Sequence, residues 1–203
     1  AVFHDEGKGG MEKSAKKDFE LHYKAAMNAF VPSLLALGIR YREGKGVPQD
    51  LQASLAWCER AAQNKSVEAK TMYAAIVESG SAGFVNYQQA LGLYKEAAQE
   101  GFPAAMLGLG GMLEDGRGVQ GDYRMAYQLY LLASQTGLPA GKDRLDKLKK
   151  RLNSEQIKAA EAYVVANGGK LPEAKPGSPA TDAPPAAPVG KTGTVTPPAA
   201  KAQ

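Results

Sequence analysis

The stretch GIRYREGKGVPQDLQASLAWCERAAQ at residues 38–63 decides the fold, because its pattern returns as GGMLEDGRGVQGDYRMAYQLYLLASQTG at residues 110–137. A shift of 36 residues superposes Gly44, Gly80 and Gly116, then Asp50, Asn86 and Asp122, then Ala61, Ala97 and Ala133. Leu51, Tyr87 and Tyr123 fall into one column, Trp57, Leu93 and Leu129 into another, and Leu37, Tyr73, Leu109 and Leu145 into a third. So many columns at one fixed spacing, without a gap, mark a repeat architecture.

Each unit reads as two helices joined by a loop. The first, helix A, carries apolar residues at Leu37 and Tyr41, and again at Leu109 and Leu113. That i, i+4 stripe suits one buried face. Glycines at 44 and 46, and at 116 and 118, supply the backbone freedom for a tight loop. Asp50, Asn86 and Asp122 are good N-caps for helix B, and Asn86 with Gln89 forms a capping-box-like pair. Gly101 and Gly137 close helix B, and Pro103 and Pro139 follow two residues later, where a proline opens a helix without losing a hydrogen bond. The small residues Ala61, Ala97 and Ala133 let neighbouring helices approach closely. The second unit has ESGSAGFVNY where the glycine loop belongs, which puts its turn geometry in question.

These residues resemble Sel1-like repeats. The family pattern is an LG and a Tyr on helix A, a GxGV loop, an Asp, an aromatic pair and an Ala-Ala on helix B. Leu37, Gly38, Tyr41, Gly44, Gly46, Val47, Asp50, Trp57, Ala61 and Ala62 match it in the first unit. The period separates the chain from tetratricopeptide repeats, whose unit is ~34 residues and has no such glycine loop. The resemblance implies an all-α fold: a short right-handed α/α solenoid of helix-turn-helix units related to tetratricopeptide repeats. Residues 12–152 are expected to form it, three units of 36 residues behind a leading helix over 13–28 with Ala25 and Ala26 in register. Asn153 and Gln156 open a final helix over 153–167 that caps the last repeat.

The rest of the chain is different in kind. Residues 168–203 lack Phe, Trp and Tyr and hold most of the 12 prolines. Such a segment cannot bury enough apolar surface to offset chain entropy, so a disordered tail is expected there and a flexible N-terminus over residues 1–11. No apolar run approaches the ~20 residues that span a bilayer. Ala1 in place of an initiator Met fits removal of a secretory leader as well as it fits a trimmed chain. Cys58 is the single cysteine, which rules out an internal disulfide. The Pro/Ala/Lys-rich tail resembles linkers of bacterial envelope proteins, and points to a periplasmic or secreted location.

No catalytic or cofactor constellation assembles from the sequence. Residues 116–121 satisfy GxGxxG, but the dinucleotide motif needs a strand before it and here a helix precedes it. Ser14 and Lys17 have the serine-to-lysine spacing of penicillin-binding enzymes and residues 191–193 read Lys-Thr-Gly, yet no sheet is expected to bring them together. His4 and His22 are the only histidines, too few for a metal site. Cys58 shares a column with Tyr94 and Tyr130 and reads as packing rather than as a nucleophile. Tyr41, Tyr73, Tyr94, Tyr123 and Tyr130 read as core. The net charge of +4 is spread between residues 142–151 and the tail, without the basic face and interleaved aromatics of a nucleic-acid binder.

The reading is therefore a non-catalytic interaction scaffold, an adaptor that assembles or regulates a bacterial envelope complex. An accessory subunit of a larger membrane enzyme or secretion machine, and a cell-wall or β-lactam-related hydrolase, are the alternatives. Solenoids bind on the concave surface that stacking creates. Family analogy lines it with helix A, so a protein or peptide partner is expected there, and no cofactor, metal or nucleic acid. Counting one residue back from the core stripe selects Arg40, Met72, Ile76, Met112 and Arg144 as the partner-binding set. Leu145, Leu148 and Leu152 form the apolar stripe of the basic helix, leaving its lysines and Arg151 to solvent or to an acidic partner.

Overall fold

The computed structural model describes residues 11–167. The residues before 11 and the expected tail from 168 onward lie outside them. Nine α-helices follow one another among the described residues. They are α1 Met11–Met27, α2 Val31–Glu43, α3 Leu51–Gln63, α4 Val67–Ser79, α5 Tyr87–Gln99, α6 Pro103–Asp115, α7 Tyr123–Gln135, α8 Pro139–Lys149 and α9 Ser154–Ala166. The A helices α2, α4 and α6 have 13 residues each and start 36 apart, and so do the B helices α3, α5 and α7.

Local chemistry sets these bounds. Each A helix of the three units ends on a left-handed glycine, Gly44, Gly80 or Gly116, with φ of 70°, 69° and 67°. A residue with a Cβ pays for that conformation, and glycine does not. Asp50 opens α3 by accepting the backbone N–H groups of Gln52 and Ala53, both at 2.9 Å. Asn86 and Asp122 accept those of Gln89 and Met125 at 3.0 Å. The expected capping box at Asn86 is incomplete, because the Gln89 amide turns inward and donates to the Tyr73 hydroxyl at 2.7 Å. The box at Asn153 and Gln156 is complete. One column beyond each B helix keeps a positive φ throughout: Ala29 at 56°, Lys65 at 65°, and Gly101 and Gly137 at 84°.

The second loop holds its place despite its sequence. Ala82 stands in the column of Gly46 and Gly118, and the left-handed residue moves on to Gly83, with φ 93°. The second and third loops are stapled to the preceding unit by the same bond. Gln52 Nε2 donates to the Ala82 carbonyl at 3.3 Å, and Gln88 Nε2 to the Gly118 carbonyl at 2.6 Å. Glycine at 46 and 118 is also a matter of space. A Cβ at Gly118 would stand 2.4 Å from Tyr87 Cβ, and one at Gly46 2.4 Å from the carbonyl oxygen of Ala15, which shares Tyr87's column.

Packing follows the repeat. Every helix from α1 to α7 packs on the next, and successive A helices touch: α2 on α4, α4 on α6, α6 on α8. The B helices α3, α5 and α7 make no comparable contact with one another. Ala61, Ala97 and Ala133 are fully buried, as small residues at close helix approaches must be. The largest core cluster centres on α6 and α7 with Met112, Leu113, Tyr127, Leu129 and Tyr130. Leu145, Leu148 and Leu152 are buried in it, so the apolar stripe expected of the basic helix is the one observed. Helix α9 packs on α7, burying Ala160 and Val164, and Tyr127 Oη donates to Glu161 at 2.8 Å.

Candidate functional site

One face of the A row is turned away from the B helices. It is traced by the column Leu35, Thr71, Leu107 and by Ile39 and Ala75, which α8 continues with Asp143 and Lys147; Gly111, next after Ala75, is buried beside Arg117 and the Tyr130 hydroxyl. Leu35, Ile39, Thr71 and Leu107 are half-buried and Ala75 is exposed, so the middle of this face is small and apolar. At α8 it becomes charged.

The structure does not gather the five sequence-selected residues on that face. Arg144 is exposed, with half of its side chain free. Met72 is half-buried and packs against Cys58, Tyr73 and Val77. Ile76 and Met112 are interior, 4 % and 0 % exposed, and Leu148 in the same column is fully buried. Arg40, also in that column, is consumed by an ion pair with Asp18 of α1. The reason is geometric. An A helix is touched by its own B helix, by the preceding B helix and by its A neighbours, so its buried arc is wider than an i, i+4 stripe. Counting one residue back stays inside the core. Tyr41 departs in the opposite sense: it is half-buried rather than core, stands edge-on to Phe19 at 5.6 Å, and lines a cleft of about 610 Å³ with residues 48–52 and 81–83.

The joints between units contain a polar device missed in the sequence. Glu78, near the end of α4, accepts the Tyr94 hydroxyl of its own unit at 3.0 Å and pairs with Arg117 of the next loop at 2.6 Å. One unit on, Glu114 accepts the Tyr130 hydroxyl at 2.9 Å. Here two arginines meet the carboxylate, Arg151 at 3.0 Å and Arg144 at 3.8 Å. Burial, followed by the neighbouring carboxylate, pushes the pKa values of Tyr94 and Tyr130 upward, so both phenols stay protonated donors. Arg151 also lies over the Tyr123 ring, 4.3 Å from its centroid, and donates to its hydroxyl. The signal was in the columns. Where Glu78 and Glu114 occur so do Tyr94 and Tyr130, and the first unit replaces both partners, with Arg42 and Cys58.

The remaining chemical candidates fall into structural places. Cys58 is fully buried against Gly38, and burial pushes its thiol up to about 11. The GxGxxG run at 116–121 is the loop between α6 and α7, preceded by a helix as expected. Ser14 and Lys17 share α1, and residues 191–193 lie outside the described residues. Among the described residues no helix is long and apolar enough to cross a membrane.

Stacked two-helix units joined through their loops define an α/α solenoid of the interaction-repeat class. The Sel1 repeat profile matches residues 1–30, 31–66, 67–102 and 103–138, so the chain belongs to the Sel1 repeat family. The last three matches each coincide with one A–B helix pair, and the first ends on the leading helix α1. Sel1 repeats are in general protein–protein interaction units. The fold is similar to that of a Sel1 repeat protein from Oxalobacter formigenes, with a TM-score of 0.65 and 22% identity over 76% of this chain and 64% of that one. It is also similar to c5321, a protective antigen of uropathogenic Escherichia coli strains displaying an SLR fold, with a TM-score of 0.71 and 22% identity over 89% of this chain. The chain spans 41% of the length of that antigen. No curated protein matches the sequence.

Proposed function

We propose that this protein is a non-catalytic scaffold that takes a protein partner on the open face of its A row and thereby assembles or regulates an envelope complex. The observation that carries the reading is the continuity of that face. Successive A helices touch, and Leu35, Ile39, Thr71, Ala75 and Leu107 give them a smooth, half-apolar surface. A surface of this kind suits an extended peptide or a partner helix. The extracytoplasmic location rests on the Pro, Ala and Lys composition of residues 168–203.

The test is crosslinked affinity capture from envelope extract with three proteins: the wild-type chain, Ala75→Arg on the open face, and Glu59→Arg on the exposed side of α3. Both positions are exposed, so neither substitution buries a charge. A partner held by the wild type and Glu59→Arg but lost with Ala75→Arg supports the open face. Equal capture by all three removes it. Turnover of a chromogenic β-lactam that disappears in Ser14→Ala would overturn the non-catalytic reading itself.

A further inference from the structure

We propose that the C-terminal end of the open face, formed by Lys147 and Lys150 with Arg144 and Arg151, docks an acidic, extended segment of a partner protein. The proposal rests on the interaction reading above and adds the chemistry of the partner.

Charge distribution is the first support. Residues 142–151 hold six basic and two acidic side chains, a surplus equal to the +4 of the entire chain. The surplus is not absorbed by the fold. Lys142, Lys147, Lys149 and Lys150 are exposed and form no ion pair among the described residues. At the preceding joint Glu78 meets one arginine, Arg117, which also reaches Asp115 at 3.0 Å. At this joint Glu114 alone serves two, and the Tyr130 hydroxyl donates to it as well. One guanidinium charge is therefore left over at a fixed position.

The arginines are also held in advance. Arg151 is clamped between Glu114 and the face of Tyr123, yet 45 % of its side chain stays exposed, as does 52 % of that of Arg144. A guanidinium immobilised before binding loses less entropy when it takes a carboxylate, and its fork geometry favours that group.

The surroundings choose among acidic ligands. A membrane-surface helix needs apolar side chains to insert beside its basic ones. Here Leu145, Leu148 and Leu152 are all committed to the core. A single-stranded nucleic acid needs exposed aromatic platforms. The aromatic at this end, Tyr123, is 4 % exposed and lies under Arg151. A peptide needs a neighbouring surface that is partly apolar, and α6 supplies one alongside α8 with the half-buried Leu107.

The test is fluorescence anisotropy of the full chain with a short labelled peptide alternating leucine with aspartate and glutamate, and with the same peptide carrying glutamine at every acid. Lys147→Glu/Lys150→Glu is the variant, since neither lysine packs or pairs. The expected result is binding of the acidic peptide that weakens with salt, falls about tenfold or more in the double variant, and is absent for the glutamine peptide. Equal affinity for the two peptides, or for wild type and variant, overturns the proposal. So does sedimentation with vesicles rich in anionic phosphatidylglycerol in the absence of peptide binding, which would assign the face to a membrane. Ala75→Arg separates the two readings. A native partner lost with Ala75→Arg but kept by the double lysine variant leaves the open face standing and removes only the acidic-segment proposal.

Discussion

Replacing Gly118 by alanine tests the joint between units most directly. Gly118 has φ 70° and its missing Cβ would stand 2.4 Å from Tyr87 Cβ and 3.1 Å from the Tyr87 carbonyl carbon. The left-handed conformation alone costs a residue with a Cβ about 1–2 kcal/mol. Forcing a methyl into a packed contact with backbone adds about 1–3 kcal/mol. The expected loss is therefore about 2–5 kcal/mol, a large fraction of the ~5–15 kcal/mol that a domain possesses. Gly137→Ala is the control, because Gly137 has φ 84° but nothing within 4 Å of the point its Cβ would occupy, so only the conformational cost applies. Urea unfolding followed by far-ultraviolet circular dichroism and by the fluorescence of Trp57 measures both. Trp57 lies in the first unit, on α3, whereas Gly118 joins the second unit to the third. Nearest-neighbour coupling predicts that Gly118→Ala lowers the dichroism midpoint more than the Trp57 midpoint. Equal losses in Gly118→Ala and Gly137→Ala would refute the claim that the loop is seated against the preceding unit.

Four further outcomes follow from named contacts. Asp18→Ala leaves Arg40 buried without its partner and should cost about 3–5 kcal/mol by urea titration, most of it recovered in Asp18→Leu/Arg40→Met; no cost would mean the pair is solvent-screened. Lys65→Gly should stabilise by about 0.5–1 kcal/mol, since Lys65 holds φ 65° in a column where later units have glycine, and a destabilised variant contradicts that account. Cys58 should react with a thiol reagent no faster than the chain unfolds, because it is fully buried with its thiol raised to about 11; prompt stoichiometric labelling of native protein contradicts its position. Burial lowers the His22 pKa below 6.5, so the unfolded chain binds the extra proton first. Stability present above that value is lost as pH falls through it, and a His22→Gln variant with an undiminished slope between pH 5 and 7 would assign the effect elsewhere.

The fold was legible because its determinants are local and periodic. A left-handed glycine and an N-capping Asp or Asn each declare themselves at a fixed offset in all three units, and the prolines at 103 and 139 add to them. The surface was less legible because exposure depends on how many neighbours a helix has. Leu37 and Leu109 marked the centre of the buried arc but not its width, which is why Ile76 and Met112 were placed outside and belong inside. Arg40 misled for a further reason. Its partner Asp18 lies on α1, where the sequence pattern offered only a lone helix. Of the five residues, Arg144 alone is exposed. The glutamate–tyrosine pairs were visible only as linked changes between columns, since a residue-by-residue reading of Tyr94 and Tyr130 as core is correct yet incomplete.

The unequal spacing of the two helix rows gives the array an elastic direction. The A row is in contact from α2 to α8 and the loops are tied back by Gln52 and Gln88, while α3, α5 and α7 stand apart. Opening or closing the B row works against the packing of α3 on α4 and of α5 on α6 but meets no comparable contact between B helices, whereas twisting one unit against the next strains the tied edge. On this geometry curvature is the softer direction of the array and torsion the stiffer one, and a change of curvature preserves the order in which the surface columns are presented.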